Sequence, residues 1–95
     1  MTTLTETATA TAVMIRGDRL IVELRDGRTV SAPLTWYPRL AAATPPERRE
    51  WHLIGNGAGI HWPLVDEDLS IEGLLRGRPS MESENSLRRW RRSAR

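Results

Sequence analysis

The sequence predicts a small α+β fold, in which short helices pack on a twisted, mainly antiparallel sheet of about five strands. Three observations support this prediction: a three-stranded meander with two tight turns, a later hairpin flanked by tryptophans, and proline-marked helix starts between them. The chain has 95 residues, which suffices for one small domain with a modest core.

The meander covers Ala12–Arg16, Arg19–Leu24 and Arg28–Pro33. Gly17-Asp18 and Asp26-Gly27 separate these strands, and such dipeptides supply the positive φ angles that tight hairpin turns need. Apolar residues point to both faces of the middle strand, which is typical of a central strand in a covered sheet.

The second hairpin pairs Trp51–Ile54 with Gly59–Trp62. A turn at Asn56-Gly57 and a symmetric four-residue loop both place His52 opposite His61. Strand alternation then sends the two histidines to one face. The other face is predicted to be core and receives four apolar residues: Trp51, Leu53, Ile60 and Trp62.

Three short helices are predicted around this hairpin. The first covers Trp36–Ala43. Thr44 caps the second, and Glu47 stands three residues later, as in a capping box. After an acidic connection, Ser70 caps the third helix, Ile71–Arg76.

Composition and charge divide the chain into a flexible leader (1–11), a single α+β domain (12–78) and a basic C-terminal tail (79–95). Residues 1–79 carry nine arginines and ten acids, whereas residues 80–95 carry five arginines and two acids. The acids open the tail and the arginines close it, an order that complements a helix dipole and favours a marginal helix. Only the tail therefore has the charge of a nucleic-acid binder.

The composition also limits the compartment and the chemistry. The chain contains no cysteine, so disulfides and cysteine metal sites are excluded. Its start lacks the basic and apolar regions of a signal peptide, and no apolar run approaches the roughly 20 residues that span a bilayer. We therefore expect a cytoplasmic protein with no membrane partner.

Several separated motifs resemble a bacterial domain-of-unknown-function family, the one numbered two-four-four-two. They occur in the family's order over about residues 12–78: Pro33-Leu34, Trp36-Tyr37-Pro38-Arg39-Leu40, Ala43-Thr44-Pro45, Glu47-Arg48, Ile60-His61-Trp62-Pro63 and Asp66-Glu67-Asp68-Leu69-Ser70-Ile71-Glu72-Gly73-Leu74-Leu75. The resemblance implies a small bacterial α+β protein. It also implies a gene neighbour encoding another small protein, in an arrangement like a toxin–antitoxin pair. It supplies no catalytic residues.

The candidate partner contacts are Tyr37, Arg39, Asp66 and Asp68. Tyrosine and arginine are enriched at interface hot spots, whereas the neighbouring Trp36 is expected in the core. The acidic run 66–68 has two interpretations: a surface for a partner or cation, or ion pairs with arginines within the fold, which we favour. His52 and His61 supply only two ligands, fewer than a zinc site needs, so no metal and no cofactor is predicted.

The tail carries the candidate nucleic-acid contacts: Arg88, Arg89, Trp90, Arg91 and Arg92. Interleaved arginine and tryptophan can hold phosphates and stack on bases, and a solvated, disordered end is the alternative.

The predicted function is a non-enzymatic protein-interaction module, one half of a small bacterial protein pair with an antitoxin-like role. Its partner is expected to be another small protein or a second copy. Two alternatives remain open: a nucleic-acid-binding accessory or autoregulator that acts through the tail, and a small enzyme or metal protein that uses His52, His61 and residues 66–68.

Overall fold

The computed structural model describes residues 8–80 and 84–93. Within them the chain forms two antiparallel sheets of three strands and four short helices, so the predicted α+β class is confirmed. The first sheet contains β1 (Ala10–Arg16), β2 (Arg19–Leu24) and β3 (Thr29–Pro33), and the second contains β4 (His52–Ile54), β5 (Gly59–Trp62) and β6 (Glu67–Ser70). The helices are α1 (Pro38–Ala41), α2 (Pro45–Arg49), α3 (Ile71–Leu75) and α4 (Glu84–Ser93).

The strand count differs from the prediction because residues assigned to the acidic connection form β6. There Glu67 and Leu69 are buried while Asp68 and Ser70 are exposed. Pairing with β5 aligns Trp62 with Glu67 and Ile60 with Leu69. This segment has too weak an apolar alternation to predict a strand, and it forms one because it is hydrogen-bonded to the central strand β5.

The first sheet follows the meander order β1-β2-β3. Arg16 pairs with Arg19 across Gly17-Asp18, as predicted. The second turn is longer than predicted, because the Leu24 amide donates to the Arg28 carbonyl at 2.8 Å. Its loop therefore has three residues, and Gly27 takes the positive φ of 96° that such a loop requires.

The second hairpin has the predicted register, with His52 opposite His61 and Leu53 opposite Ile60. Its four-residue loop places Asn56 at a φ of 56°. The predicted core face is only partly correct. Ile60 and Trp62 on the central strand β5 are fully buried, but Leu53 is 37% exposed because β4 is a short edge strand with all three residues at the surface.

The core lies between the two sheets and the short helices. Its largest fully buried side chain is Trp62, which packs with aliphatic residues from β2, α1, β5 and α3: Leu20, Val22, Leu40, Ile60 and Ile71. Full burial of each such side chain contributes about 1.5–3 kcal/mol. The described residues contain no helix with the length and apolarity needed to cross a bilayer.

Side-chain caps define the starts of two helices as predicted. Thr44 and Glu47 form the reciprocal capping box: the Thr44 amide donates to Glu47 Oε1 at 2.7 Å, and the Glu47 amide donates to Thr44 Oγ1 at 3.4 Å. At α3, Ser70 Oγ accepts a 2.9 Å hydrogen bond from the Gly73 amide. Helices this short need such caps, because few of their amides have helical partners.

The two sheets touch where the β4–β5 loop meets the start of β1. Gly57 is buried there at a φ of 93°, and a Cβ on it would lie 2.7 Å from the Ala10 carbonyl oxygen. Only glycine fits this contact, because both the backbone angle and the space exclude a side chain.

We expect Gly57→Ala to destabilise the protein more than Gly27→Ala. Both glycines have φ near 95°, so both variants incur about 1–2 kcal/mol of left-handed strain. A Cβ at Gly27 would meet no atom within 4 Å, so only Gly57→Ala adds the clash with Ala10. Urea unfolding should give a lower midpoint for Gly57→Ala, and equal midpoints would contradict the contact between the sheets.

Candidate functional site

Tyr37 is buried, contrary to its assignment as a surface contact. Its side chain is 4% exposed, whereas the adjacent Trp36 is only half-buried. The backbone forms a 3₁₀ turn and then α1, so residues at a spacing of three (Leu34, Tyr37 and Leu40) all point inward. Its hydroxyl has no hydrogen-bond partner among the described residues. Burial raises the pKa of this phenol, and the negative charge of Glu67 raises it further.

Arg39 is held by contacts within the fold. Its guanidinium donates to the carbonyl oxygens of Val65 at 3.4 Å and Asp66 at 3.0 Å, and it lies 3.7 Å from the Asp66 carboxylate. Asp66 itself sits at a φ of 54° in the tight connection between β5 and β6. Arg39 therefore fixes a strained turn, and its side chain is only 18% exposed.

The remaining acids of the run are also used within the fold. Glu67 is buried on β6, and the carboxylate of Asp68 meets His61 Nδ1 on β5. His52 lies on the other side of His61 across the sheet. In the part of the chain that the structure describes, no group of three or more histidine and acidic residues is placed to hold a metal ion.

The tail forms α4 and docks on the domain through Trp90 and Arg91. Trp90 packs against the core, and the guanidinium carbons of Arg39 and Arg91 lie 5.0 Å and 4.5 Å from its ring centroid. Arg91 also donates to the Ala42 carbonyl at 2.6 Å and lies 3.6 Å from the Glu47 carboxylate. The Thr44 amide and then the charge of Arg91 hold the pKa of Glu47 below its ordinary value.

The other predicted nucleic-acid contacts occupy the same helix. Arg88 and Arg89 are exposed on α4. Arg92 belongs to α4, but its side chain lies outside the described part of the chain, as do residues 81–83 and 94–95. The structure thus separates the predicted set into two residues used against the domain and two that face outward.

One concave surface of the described residues was not predicted from the sequence. A groove of about 440 Å³ lies between β1, α2 and Trp51. Val13 and Ile15 of β1 and the half-buried Trp51 give it an apolar lining, and Arg48 and Arg49 of α2 form its basic wall. These residues are far apart in sequence, so only the packing of α2 beside β1 reveals the groove.

The two arginines of the groove differ in their partners. Arg48 donates through Nε to the Leu40 carbonyl and through a terminal nitrogen to the Ala41 carbonyl, both at 3.0 Å. Arg49 is exposed and forms no ion pair or side-chain hydrogen bond with any described residue. The same holds for Arg16, at the end of β1. The groove therefore presents apolar surface beside guanidinium groups that no carboxylate of the described residues neutralises.

The buried phenol of Tyr37 predicts a specific alkaline response. The folded protein holds this proton more tightly than the unfolded chain, because the folded-state pKa is raised. The associated stability is intact below the unfolded pKa of about 10 and is lost as pH rises from there through the folded pKa. Tyr37 is the only tyrosine, so its phenolate absorbance should titrate above pH 10 in the native protein and return to the ordinary value in urea.

Tyr37→Phe provides the control for this titration. It should reduce the alkaline loss of stability and cost little at neutral pH, since the hydroxyl has no partner to lose. A native phenolate midpoint at the ordinary tyrosine value would contradict the buried position.

Docking of the tail can be tested with Trp90→Ala. Loss of the ring's packing and of its contacts with two guanidinium groups should lower the free energy of unfolding by about 1–2 kcal/mol. Arg88→Ala changes an exposed residue of the same helix and should lower the free energy of unfolding by less than Trp90→Ala does, because it removes no packed ring. Equal denaturation midpoints for the two variants would show that α4 contributes nothing to the domain.

Comparison with known proteins places the fold in a group without an assigned activity. A protein of unknown function from Rhodospirillum rubrum is 29% identical and has a TM-score of 0.68, over 78% of this chain and 92% of that one. The uncharacterized protein CV0863 from Chromobacterium violaceum is 25% identical and has a TM-score of 0.66, over 85% of this chain and 74% of that one. No curated protein matches the sequence. The model of the family "Protein of unknown function (DUF2442)" matches residues 10–80, and the chain belongs to that family.

Proposed function

We propose that this chain is a non-enzymatic, cytoplasmic protein-interaction module, one half of a small bacterial protein pair with an antitoxin-like role. The observation that carries the proposal is the groove beside β1. It combines an open strand edge, an apolar lining and an exposed, unpaired arginine, Arg49. Aromatic and arginine residues around a partly desolvated depression are the side chains that protein interfaces favour.

Four of the polar residues considered for catalysis or metal binding (His61 and residues 66–68) are buried or make contacts within the fold. Asp66 meets Arg39, Asp68 meets His61 and Glu67 is buried. A hydrolytic or metal site needs several polar groups converging on a cavity. The lining of the groove instead has apolar residues and arginines, with no acid and no histidine. This composition supports binding rather than catalysis.

The identity of the partner class rests on the family resemblance. The resemblance implies a gene neighbour that encodes another small protein, and such an arrangement favours a heteromeric pair. An interface of this kind buries apolar surface, so it should persist at moderate salt, whereas binding to phosphates weakens steeply as salt rises.

The alternative, nucleic-acid binding through α4, is supported by Arg88 and Arg89, which face outward from a docked helix. Trp90 is less suited to stacking on bases than the sequence suggested, because two guanidinium groups already lie over its ring. In this alternative the exposed arginines would contact phosphates, and stacking of bases on Trp90 would contribute little.

Purification of the tagged protein from its own host should yield a stoichiometric small protein and little nucleic acid. The chain has no cysteine, so one introduced thiol can carry a photo-cross-linker at a chosen position. Met14→Cys places it at the groove, and Arg78→Cys places it on an exposed loop elsewhere. The partner should cross-link from position 14 and not from position 78.

Other outcomes would contradict the proposal. Recovery of nucleic acid without a protein partner, in a form released by salt and lost on deleting residues 80–95, would favour the alternative. Recovery of neither a protein nor a nucleic acid would remove the support for a binding module.

A further inference from the structure

We infer that the groove accepts an extended strand of a partner protein, in which apolar and acidic residues alternate, and that this strand pairs with the open edge of β1. The inference rests on the proposed function and specifies its binding mode. It follows from the hydrogen-bonding direction of β1, the lining of the groove and the unpaired charges at its rim.

The edge of β1 presents unused backbone groups. The Leu24 amide bonds to the carbonyl of Arg28, the residue just before β3. In this register the backbone N–H and C=O groups of the even-numbered β2 residues point toward β3, and those of the odd-numbered residues point toward β1. Met14 is paired with Ile21 and is therefore bonded within the sheet. Val13 and Ile15 lie between such pairs, so their N–H and C=O groups point away from β2.

Among the described residues, β1 is an edge strand that pairs with β2 alone, and no other backbone hydrogen bond involves Val13 or Ile15. Val13 is buried and Ile15 is half-buried, so the unbonded groups lie at the floor of the groove. At the opposite end, the loop containing Gly57 abuts Ala10 and closes the edge. The accessible stretch is therefore short, and it runs from Val13 to the hairpin turn at Gly17.

The side chains beside this edge indicate the chemistry of the occupant. One face of an added strand would lie against Val13, Ile15 and Trp51, so its residues there should be apolar. Alternate residues of the added strand point to the other face. Arg16 points to that other face because it alternates with Val13 and Ile15 along β1, and Arg49 lines the groove from α2. Neither arginine has a carboxylate partner among the described residues. A strand that alternates apolar and acidic residues satisfies both surfaces.

Two other occupants fit less well. A second copy pairing through its own β1 would bring the sequence Ala10–Arg16, which contains no acidic residue to meet Arg49. A nucleic acid could place phosphates on the arginines. Its backbone cannot form the alternating N–H and C=O bonds of a strand edge, and the apolar lining would remain unfilled.

Amide hydrogen exchange measured by NMR tests the pairing directly. The probe is a short peptide in which valine alternates with glutamate, and the control peptide has lysine in place of glutamate. We expect the glutamate peptide to slow exchange at Val13 and Ile15, which should be fast in the free protein. Met14 is bonded to β2 and should exchange slowly in both states.

A matched pair of variants tests the attraction between Arg49 and the acidic residues of the added strand. Arg49→Glu should weaken binding of the glutamate peptide about tenfold or more, because it replaces an attraction with a repulsion. Arg78→Glu makes the same charge change at an exposed arginine away from the groove and should leave the affinity unchanged. The lysine peptide should bind more tightly to Arg49→Glu than to the unmodified protein.

The outcomes separate this inference from the proposed function. No slowing at Val13 and Ile15, or equal affinities for the two charge variants, would overturn the strand-pairing mode. An oligonucleotide that perturbs Arg16 and Arg49 without protecting those amides would also overturn it. If a protein partner is recovered but cross-links elsewhere, the proposed function stands and this inference fails. If neither partner nor peptide binds, both fail.

Discussion

The fold depends on how the five-residue helix α2 is fixed between the two sheets. A helix of this length is not stable alone, so tertiary contacts must hold it. Trp62, fully buried on β5, donates its indole N–H to the Arg48 carbonyl at 3.1 Å. The Arg48 side chain then donates to the Leu40 and Ala41 carbonyls of α1. Through these bonds the second sheet positions both helices, and with them the basic wall of the groove.

Arginine side chains stabilise the short helices and turns of this fold by donating hydrogen bonds to their backbone carbonyls. All 14 basic residues are arginine, whose planar guanidinium has five N–H donors. Arg39, Arg48 and Arg91 all donate to backbone carbonyls near the ends of short elements. Backbone hydrogen bonding is incomplete in turns and at helix ends, and the guanidinium groups supply additional donors there. This explains why Arg39 and Arg91, which resemble surface contacts in the sequence, are committed to the fold.

Local features of the fold could be predicted because local chemistry determines them. Asn56 and the turn glycines fixed the register of the hairpins, and the Thr44 capping box marked the start of α2. Features that depend on distant partners could not be predicted. Tyr37 and not Trp36 is buried because a 3₁₀ turn sets the helical phase, and β6 exists because it pairs with β5. The groove needs three separate segments to meet, so no short pattern marked it.

Features that block the pairing of another strand lie at only one end of β1, and this placement indicates where a partner strand could bind. Proteins commonly guard exposed strand edges with register irregularities, short strands or covering loops. Here the register shift lies between Ala10 and Ala12, and the loop of Gly57 covers that same end. The described sheets have three further edge strands, β3, β4 and β6, and β4 is only three residues long. On β1 the stretch without such protection is Val13–Ile15, which also contributes to the apolar lining of the groove beside Arg49. An open strand edge beside an apolar groove with an exposed arginine is the arrangement expected for strand addition, because an added strand finds both backbone partners and side-chain contacts there.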